Sequence, residues 1–580
     1  MFTKPISASL KALLVVAVLV LLLGLSGLVS LPVTDRDEAR YAQASKQMVE
    51  SGDYVRIRFL DTDRSKKPAG IYWLQAAAVH LTGVKDEIWP YRLVSVVGAF
   101  VAVLLIFAMT RLLLSDSTAS PWPAVALAAS PLLVCVMHAA TTDCMLLATV
   151  CAAQCALANI YLATRKPDGR PSALAAYLFW IAIGVGLLIK GPLTPLIAGL
   201  TILALCLHDR EARWLRQLRP ITGFLLMILM ILPWLLAIQH ATNGAFLRES
   251  VGHDFLGKVK GGQESHGAPP GMYLLAVSAL FWPLFPLAWR GIRSAWLARR
   301  TDATAAFLLA WLIPSWLVFE LVPTKLPHYV LPLYPALAFL ALRKTDNEPS
   351  GNRWWRVSCR VVDAAWWICA VVFVAGPLLA ALVLGREALP AALVCALVAG
   401  GATIGMHCLR RSQAPRHQHV ALAAVFALIY FGLLFGAVLP QLDELWLTRN
   451  VAAMVAKQTH GQPAQVVSVG YDEPSVAFSL GTQTKLGGGA EGAVEEMRRN
   501  PKTIVLIQDA PTTPVGDLVL PARLVKALSL APNNCYRERF LAAAATSGLM
   551  LHEAGSVEGW NYSRTKRVRV ILFTCGDATP

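Results

Sequence analysis

Apolar runs of about 20 residues recur along the chain, parted by short polar stretches that are rich in bases at every second gap. A run of that length crosses about 30 Å of hydrocarbon as a helix. The pattern predicts thirteen spans, at about 10–31, 91–113, 121–138, 143–163, 172–189, 191–208, 220–239, 270–290, 303–322, 328–343, 361–384, 388–408 and 418–439. The first follows a short basic start with Lys4 and Lys11 and exceeds the apolar region of a signal peptide. No small-x-small cleavage site follows it, so it reads as a retained span with its N-terminus inside. The bases keep the register. Arg111 stands in one connection, Arg165, Lys166 and Arg170 in the next of that side, and Arg210, Arg213, Arg216 and Arg219 in the one after. Arg290 to Arg300, Arg343 to Arg360, and Arg410 to Arg416 continue the series. An odd number of spans places the C-terminal region on the opposite, extracytoplasmic side.

Two stretches break the pattern. The first, 32–90, mixes acids, bases and aromatics. Asp35 and Glu38 are three apart, the spacing of a capping box, so a helix is expected from about Arg36 with Asp35 as its cap and Gly52 as its stop. Residues 54–60 alternate as an extended segment, and Pro68 can open a second helix, IYWLQAAAVHL. Both helices are expected along the membrane surface. The second is a tail, 441–580. Residues 464–470, 503–509 and 567–575 read as strands, and 492–500 and 521–530 as helices, a small α/β domain with no phosphate-binding loop or nucleophile elbow. Asn561–Tyr562–Ser563 matches a glycosylation sequon, a weak signal.

Composition agrees with the pattern: the 580 residues are 56% hydrophobic and only 15% charged, where a soluble domain is about one-quarter charged. The formal net charge of +16 is mostly membrane anchoring, and no nucleic-acid recognition motif accompanies it. Of eleven cysteines, nine sit in or beside spans as small apolar fillers. Cys535 and Cys575 fall in the extracytoplasmic tail, where a disulfide is permitted.

The predicted topology sorts the polar residues by side. Asp37, Glu38, Arg40, Lys66, Lys67, Asp143, Lys190, Glu249, His253, Asp254, Lys258, His266, Lys325, His328 and Tyr329 all fall on the outer side or at a span's outer end. Ionised groups beside hydrocarbon are costly and functional by default, so one outward cavity is expected. Asp37, Glu38 and Asp143 each open a helix; they are either acids at a helix N-terminus or the reacting carboxylates. Lys66 and Lys67 are either anchors for anionic lipid or phosphate contacts, and Arg40 is a salt-bridge partner of Asp37 or a phosphate fork. Lys190 sits at a tight Gly–Pro turn, and PTKLPHYVLPLYP gathers Lys325, His328 and Tyr329. In the loop 240–269, Glu249, His253 and His266 permit zinc, with a plain polar loop as the alternative; no organic cofactor is expected.

The run DRDEARYAQASKQMVESGDYV, followed by KKPAGIYWL, TTDCMLL, IKGPLTPL, SHGAPPGMYLL and TKLPHYVLPLYP, resembles the membrane glycosyltransferases related to protein O-mannosyltransferases. Within them it is most similar to the aminoarabinose (4-amino-4-deoxy-L-arabinose) lipid A transferases. The likeness runs well over residues 30–345. It implies a polytopic all-α membrane protein of GT-C type with a small periplasmic α/β domain: 1–440 as the transmembrane domain, with interfacial helices at 32–90 and a periplasmic loop at 240–269, and 441–580 as the periplasmic domain. It implies a multi-pass monomer of the bacterial inner membrane that uses an undecaprenyl-phosphate-linked sugar and a lipid A acceptor and transfers with inversion. By that likeness Asp37, Asp143 and Glu38 are catalytic candidates. Lys67, Arg40, Lys190, Lys325 and Tyr329 would face the donor phosphate, and Lys66, His328 and Lys258 the substrate. This chain departs from the family at Ser65 and Lys66, where an aromatic and a glutamate are common, so the local charge is reversed. The alternatives are a related transferase acting on protein or another glycan, a secondary transporter, and a scaffold carrying a periplasmic domain.

Overall fold

A computed structural model of the chain describes residues 6–114, 121–167, 169–250, 267–343, 353–511 and 536–576. Every predicted apolar run is helical within those residues. The helices that build the site are α1 (Ile6–Leu25), α2 (Asp37–Ser51), α3 (Gly70–Thr82), α4 (Trp89–Leu113), α5 (Trp122–Ala128), α6 (Pro131–Met137), α7 (Asp143–Ala163), α8 (Ala173–Lys190), α9 (Leu193–Asp209) and α10 (Pro220–Ala241). Among the described residues, eight helices are long and apolar enough to cross a membrane: α4, α7, α8, α10, Ala303–Leu321, Arg353–Leu384, Arg386–Arg411 and Arg416–Gln441. Shorter apolar helices are Ser9–Leu25, Leu193–Asp209 and Pro327–Leu342. Two predicted runs are broken. α5 and α6 part at Ser130, which is extended because Pro131 follows it, and a second break separates Met272–Leu280 from Phe285–Ala298. Large apolar side chains stay exposed in stripes, as with Ile221, Leu225, Leu229, Leu232 and Leu236 on α10. Water would penalise such a stripe and a bilayer would not; the chain is a multi-span membrane protein.

α4 packs between α1 and α7. The approach to α7 is close enough that a Cβ on Gly98 would lie 2.7 Å from the Cys144 backbone. α2 and α3 pack on each other, joined by a short hairpin of β1 (Arg58–Phe59) and β2 (Thr62–Asp63). α2 ends at Gly52, in the left-handed region at φ 69°. α3 begins at Gly70, two residues after Pro68, and a Cβ there would meet the Leu188 carbonyl oxygen at 2.7 Å. Glycine thus lets α3 lie directly on the end of α8.

The expected cap at Asp35 is corrected. Thr34, not Asp35, closes the box: its N–H and its Oγ1 donate to Glu38 at 2.8 and 2.7 Å. Glu38 is fully enclosed, and Arg92 of α4 binds it bidentately, Nε to Oε1 at 2.8 Å and Nη2 to Oε2 at 2.9 Å. The remaining Arg92 donors reach the carbonyls of Leu31 at 2.5 Å, Pro32 at 2.7 Å and Leu28 at 3.4 Å. The Ala140 N–H completes Glu38 at 2.8 Å. Burial resists ionisation of Glu38, but Arg92 and the Thr34 donors outweigh it, and its carboxyl lies below the ordinary range.

Among the described residues the tail forms a five-stranded sheet in the order β4 (Lys485–Leu486), β3 (Val466–Val469), β5 (Ile504–Asp509), β7 (Lys566–Cys575), β6 (Leu551–Asn561). β3 is parallel to β4 and β5, and β7 is antiparallel to β5 and β6. Helices Leu447–Gln458, Pro474–Leu480, Ala490–Arg499 and Tyr536–Thr546 cover it. The helix expected at 521–530 and Cys535 lie outside the described residues. Asn561 is buried and donates its Nδ2 to Glu473 at 2.9 Å, so it is no surface acceptor for a glycan.

This domain grips α2 and the turn before it. Ser475 Oγ donates to Asp35, the Asp35 N–H donates to the Tyr562 hydroxyl at 2.6 Å, and Arg36 donates to the Ser563 carbonyl. Farther along α2, Gln43 donates to Thr482 at 2.9 Å, and Thr482 in turn donates to Glu50 at 2.7 Å. Asp35 carries a carboxyl pushed up to about 7: burial raises it most, Glu473 adds to that, and the Ser475 hydroxyl and Arg36 only partly oppose it.

Two outcomes follow from these contacts. Glu38→Gln should lower stability by about 3–5 kcal/mol, because the buried guanidinium of Arg92 loses its counter-charge; the thermal unfolding midpoint of purified protein measures this. For Asp35 the folded pKa is raised, so its contribution is fully present below its unfolded value of 3.8 and is lost as pH rises through about 7. Protease release of the C-terminal domain should therefore become easier from pH 5 to pH 8 in the unaltered protein, and Asp35→Asn should flatten that dependence.

Candidate functional site

Three polar elements meet at the ends of the central helices. Asp143 is the first residue of α7 and Lys190 the last of α8, so a carboxylate sits at one helix's positive end and an ammonium at another's negative end. The two pair at 2.5 Å with both side chains nearly enclosed. Thr141 Oγ1 donates to the other Asp143 oxygen at 3.0 Å, and His328 Nε2 lies 3.8 Å from it. Tyr329 packs edge-on to His328 at 5.0 Å and offers its ring to Lys190 at 5.5 Å. His328 and Tyr329 open the 3-10 turn Pro327–Leu333, whose prolines forbid a regular start to that span.

The α2 side adds a second cluster. Asp37 is exposed at the helix start, and Arg40 stands 3.9 Å from it. Tyr41, next on that face, contacts Tyr72 of α3 at 5.5 Å between rings. Arg64, from the strand-to-α3 link, lies over Tyr41 at 5.2 Å and donates Nε to the Tyr72 hydroxyl at 3.1 Å. Burial, then Tyr72 and Asp37, hold the Tyr41 hydroxyl well above its ordinary pKa, and Asp143 contributes in the same direction. Gly70, at the start of α3, abuts the Leu188 carbonyl just before Lys190, so the two clusters adjoin. Tyr41 remains a neutral O–H donor there. Lys66 is exposed and Lys67 half-buried at the approach to α3.

Of the residues singled out in the sequence, the structure places Asp37 and Arg40 in one of these clusters and Asp143, Lys190, His328 and Tyr329 in the other. Two others have different work. Glu38 is buried in its pair with Arg92, so its carboxylate is a structural tie rather than a proton acceptor for substrate. Lys325 is buried with its ammonium on the carbonyls of Ala268 at 2.9 Å and Val322 at 2.7 Å, which makes it a loop tether rather than a phosphate ligand. His253, Lys258 and His266 lie outside the described residues, and with them the zinc expectation built on Glu249; among the described residues no three metal-binding side chains cluster. Arg64, Tyr41 and Tyr72 join the α2 cluster without being among the site residues singled out in the sequence. Their only signal was a guanidinium and two phenols in a stretch already marked by its mixed polarity.

The chain has relatives. The family profile of the dolichyl-phosphate-mannose-protein mannosyltransferases matches residues 66–236. The undecaprenyl phosphate-alpha-4-amino-4-deoxy-L-arabinose arabinosyl transferase of Pseudomonas aeruginosa (strain LESB58) is 32% identical over 312 residues, 52% of this chain and 54% of that protein. The protein of that name from Edwardsiella ictaluri is 28% identical over 305 residues, 52% and 54% of the two chains. The chain thus spans about half the length of the curated relatives it matches. Among solved structures, ArnT from Cupriavidus metallidurans bound to undecaprenyl phosphate aligns with a TM-score of 0.69 at 20% identity over 98% of each chain. The apo oligosaccharyltransferase of Archaeoglobus fulgidus aligns at 0.52 and 12% identity, over 87% of this chain and 69% of that one. The fold is the one these membrane proteins share.

The Asp143–Lys190 pair yields a separable outcome. Lys190→Met strands a buried carboxylate and should cost about 3 kcal/mol of stability. Adding Asp143→Asn should restore part of it, since an amide needs no counter-ion. Thermal unfolding of the single and double variants reads the coupling.

Proposed function

We propose that the chain is a membrane glycosyltransferase that moves 4-amino-4-deoxy-L-arabinose from undecaprenyl phosphate to a phosphate of lipid A, at the outer face of the bacterial inner membrane, with its N-terminus in the cytoplasm. The observation that carries this reading is the pairing of two helix-starting acids, Asp37 and Asp143, with cations and phenols at the ends of α2, α3, α7 and α8. It lies in a chain whose residues 66–236 match a family named for prenyl-phosphate sugar transfer.

In this reading the bond between the anomeric carbon and the donor phosphate oxygen breaks, and an acceptor oxygen bonds to that carbon from the opposite face. The electron pair of the broken bond stays on undecaprenyl phosphate. That leaving group is already a stable anion, so it needs positive charge held ready rather than a strong acid. Arg40 and the lysines at 66 and 67 are the near cations of the approach. A phosphate acceptor brings its own negative oxygen, so Asp37, exposed and only loosely tied to Arg40, positions it and takes its proton where one is present. Asp143 is fixed by Lys190, Thr141 and His328, which suits it to orient a sugar or its amine rather than to accept a proton. Transport is disfavoured because the charged pairs sit at helix ends, Arg92 near the start of α4 and Asp143 and Lys190 at termini, rather than halfway along the spans.

The test is transfer of aminoarabinose to lipid A by purified protein in vesicles supplied with the prenyl-linked sugar, read by mass spectrometry of lipid A. Unaltered protein should transfer, and Asp37→Asn should fall by about 100-fold or more with its unfolding midpoint kept. Folded protein that modifies no lipid A sinks the acceptor assignment, and full activity in Asp37→Asn sinks the role of that acid.

A further inference from the structure

Two arginines of the first polar segment and its neighbouring helix are held in opposite ways. Arg92 spends all five N–H donors on Glu38 and backbone carbonyls. A guanidinium that serves the fold looks like this, with no donor left over. Arg64 is anchored on one edge only. Its backbone N–H donates to the Ile57 carbonyl at 2.7 Å, its Nε to Tyr72 at 3.1 Å, and its plane rests on Tyr41. Its two terminal amino groups make no hydrogen bond or ion pair with any described residue, and they are not sealed from solvent. Burial works against the charge of Arg64, but the hydrogen bond to Tyr72 and the nearby Asp37 carboxylate favour it, and a guanidinium stays cationic.

We propose that Arg64 is a phosphate-binding residue of this site, presenting its paired terminal N–H groups to a lipid-borne phosphate at the membrane face. The inference rests on the glycosyltransferase reading above and deepens it by naming a residue for the phosphate. A guanidinium matches a phosphate bidentately, as an ammonium does not. The stack on Tyr41 and the bond to Tyr72 fix the fork before the ligand arrives, so little side-chain freedom is lost on binding. Lys190 and Lys325 are unsuited to the same task, one being neutralised by Asp143 and the other ending on carbonyls. The phosphate belongs either to the prenyl donor or to the acceptor, and both present the same chemistry.

The experiment uses the full chain in lipid nanodiscs and measures binding of undecaprenyl phosphate and, separately, of lipid A, for unaltered protein, Arg64→Gln and Arg64→Lys. Arg64→Gln should weaken one ligand by about tenfold or more with an unchanged unfolding midpoint. Arg64→Lys keeps the charge but loses the fork, and should fall between the two; it carries the test alone if the glutamine variant does not fold. A loss confined to undecaprenyl phosphate assigns the donor, and a loss confined to lipid A assigns the acceptor. Folded variants that bind both ligands as the unaltered protein does, while that protein transfers sugar, overturn the role of Arg64 and leave the enzymatic reading standing. Unaltered protein that binds neither ligand and transfers nothing overturns both.

Discussion

The ion pair between Glu38 and Arg92 is the contact on which the rest of the site depends. A charge pair taken out of water survives only when its remaining donors and acceptors are also used, and here they are. Glu38 receives Thr34 and Ala140 besides Arg92, while Arg92 reaches the carbonyls that end the first span. Four stretches of chain meet at this one carboxylate: the end of the first span with its turn, α2, α4 and the loop before α7. Asp37 precedes Glu38 by one residue, and Asp143 follows Ala140 by three. The distance between the two acids of the site is therefore governed by a pair that does no chemistry itself.

α2 carries this constraint outward. Its face at Asp37, Arg40 and Tyr41 borders the site, while Gln43, Lys46 and Glu50, spaced three and four apart, meet the C-terminal domain. The sheet domain holds the back of the helix whose front carries the acid. The turn before it also costs something: Arg36 sits at φ 67°, a region that side-chain-bearing residues avoid. Its neighbours account for it. Asp35 is bound by Ser475 and Tyr562, Glu38 by Arg92, and Arg36 itself by the Ser563 carbonyl, so the backbone between two fixed points has no easier path.

What could be read in the sequence was what depends on period and length. The apolar helices, the helices α2 and α3 with Gly52 as a stop, and the strands around 466, 504 and 570 all follow from local pattern. Partners were not. The i, i+3 spacing of Asp35 and Glu38 suggested a box, but Thr34 made the bond at i, i+4, and Asp35 turned to a serine 440 residues away. Lys325 looked like its fellow lysines until two backbone carbonyls claimed it. Arg64 was lost in a run of charges, since its distinction lies in stacking on Tyr41 and bonding to Tyr72, contacts that no spacing rule links.

The acids Asp37, Glu38 and Asp143 make the general point, because residue type and helix position hardly separate them. Each stands in the first turn of a helix, where free N–H groups favour negative charge. Their surroundings divide them. Glu38 is enclosed with a guanidinium and three further donors, which fixes its charge and removes it from any reaction. Asp143 is enclosed with an ammonium and a hydroxyl but keeps His328 at 3.8 Å, so it is ordered yet still borders the site. Asp37 has only a long contact to Arg40 and open solvent. A carboxylate that must meet a substrate has to leave its lone pairs unspent, and of these three only Asp37 does. The same rule, applied to donors instead of acceptors, separates Arg64 from Arg92. In this protein the unspent valence of a charged group, set by its neighbours, marks function more surely than the charge itself.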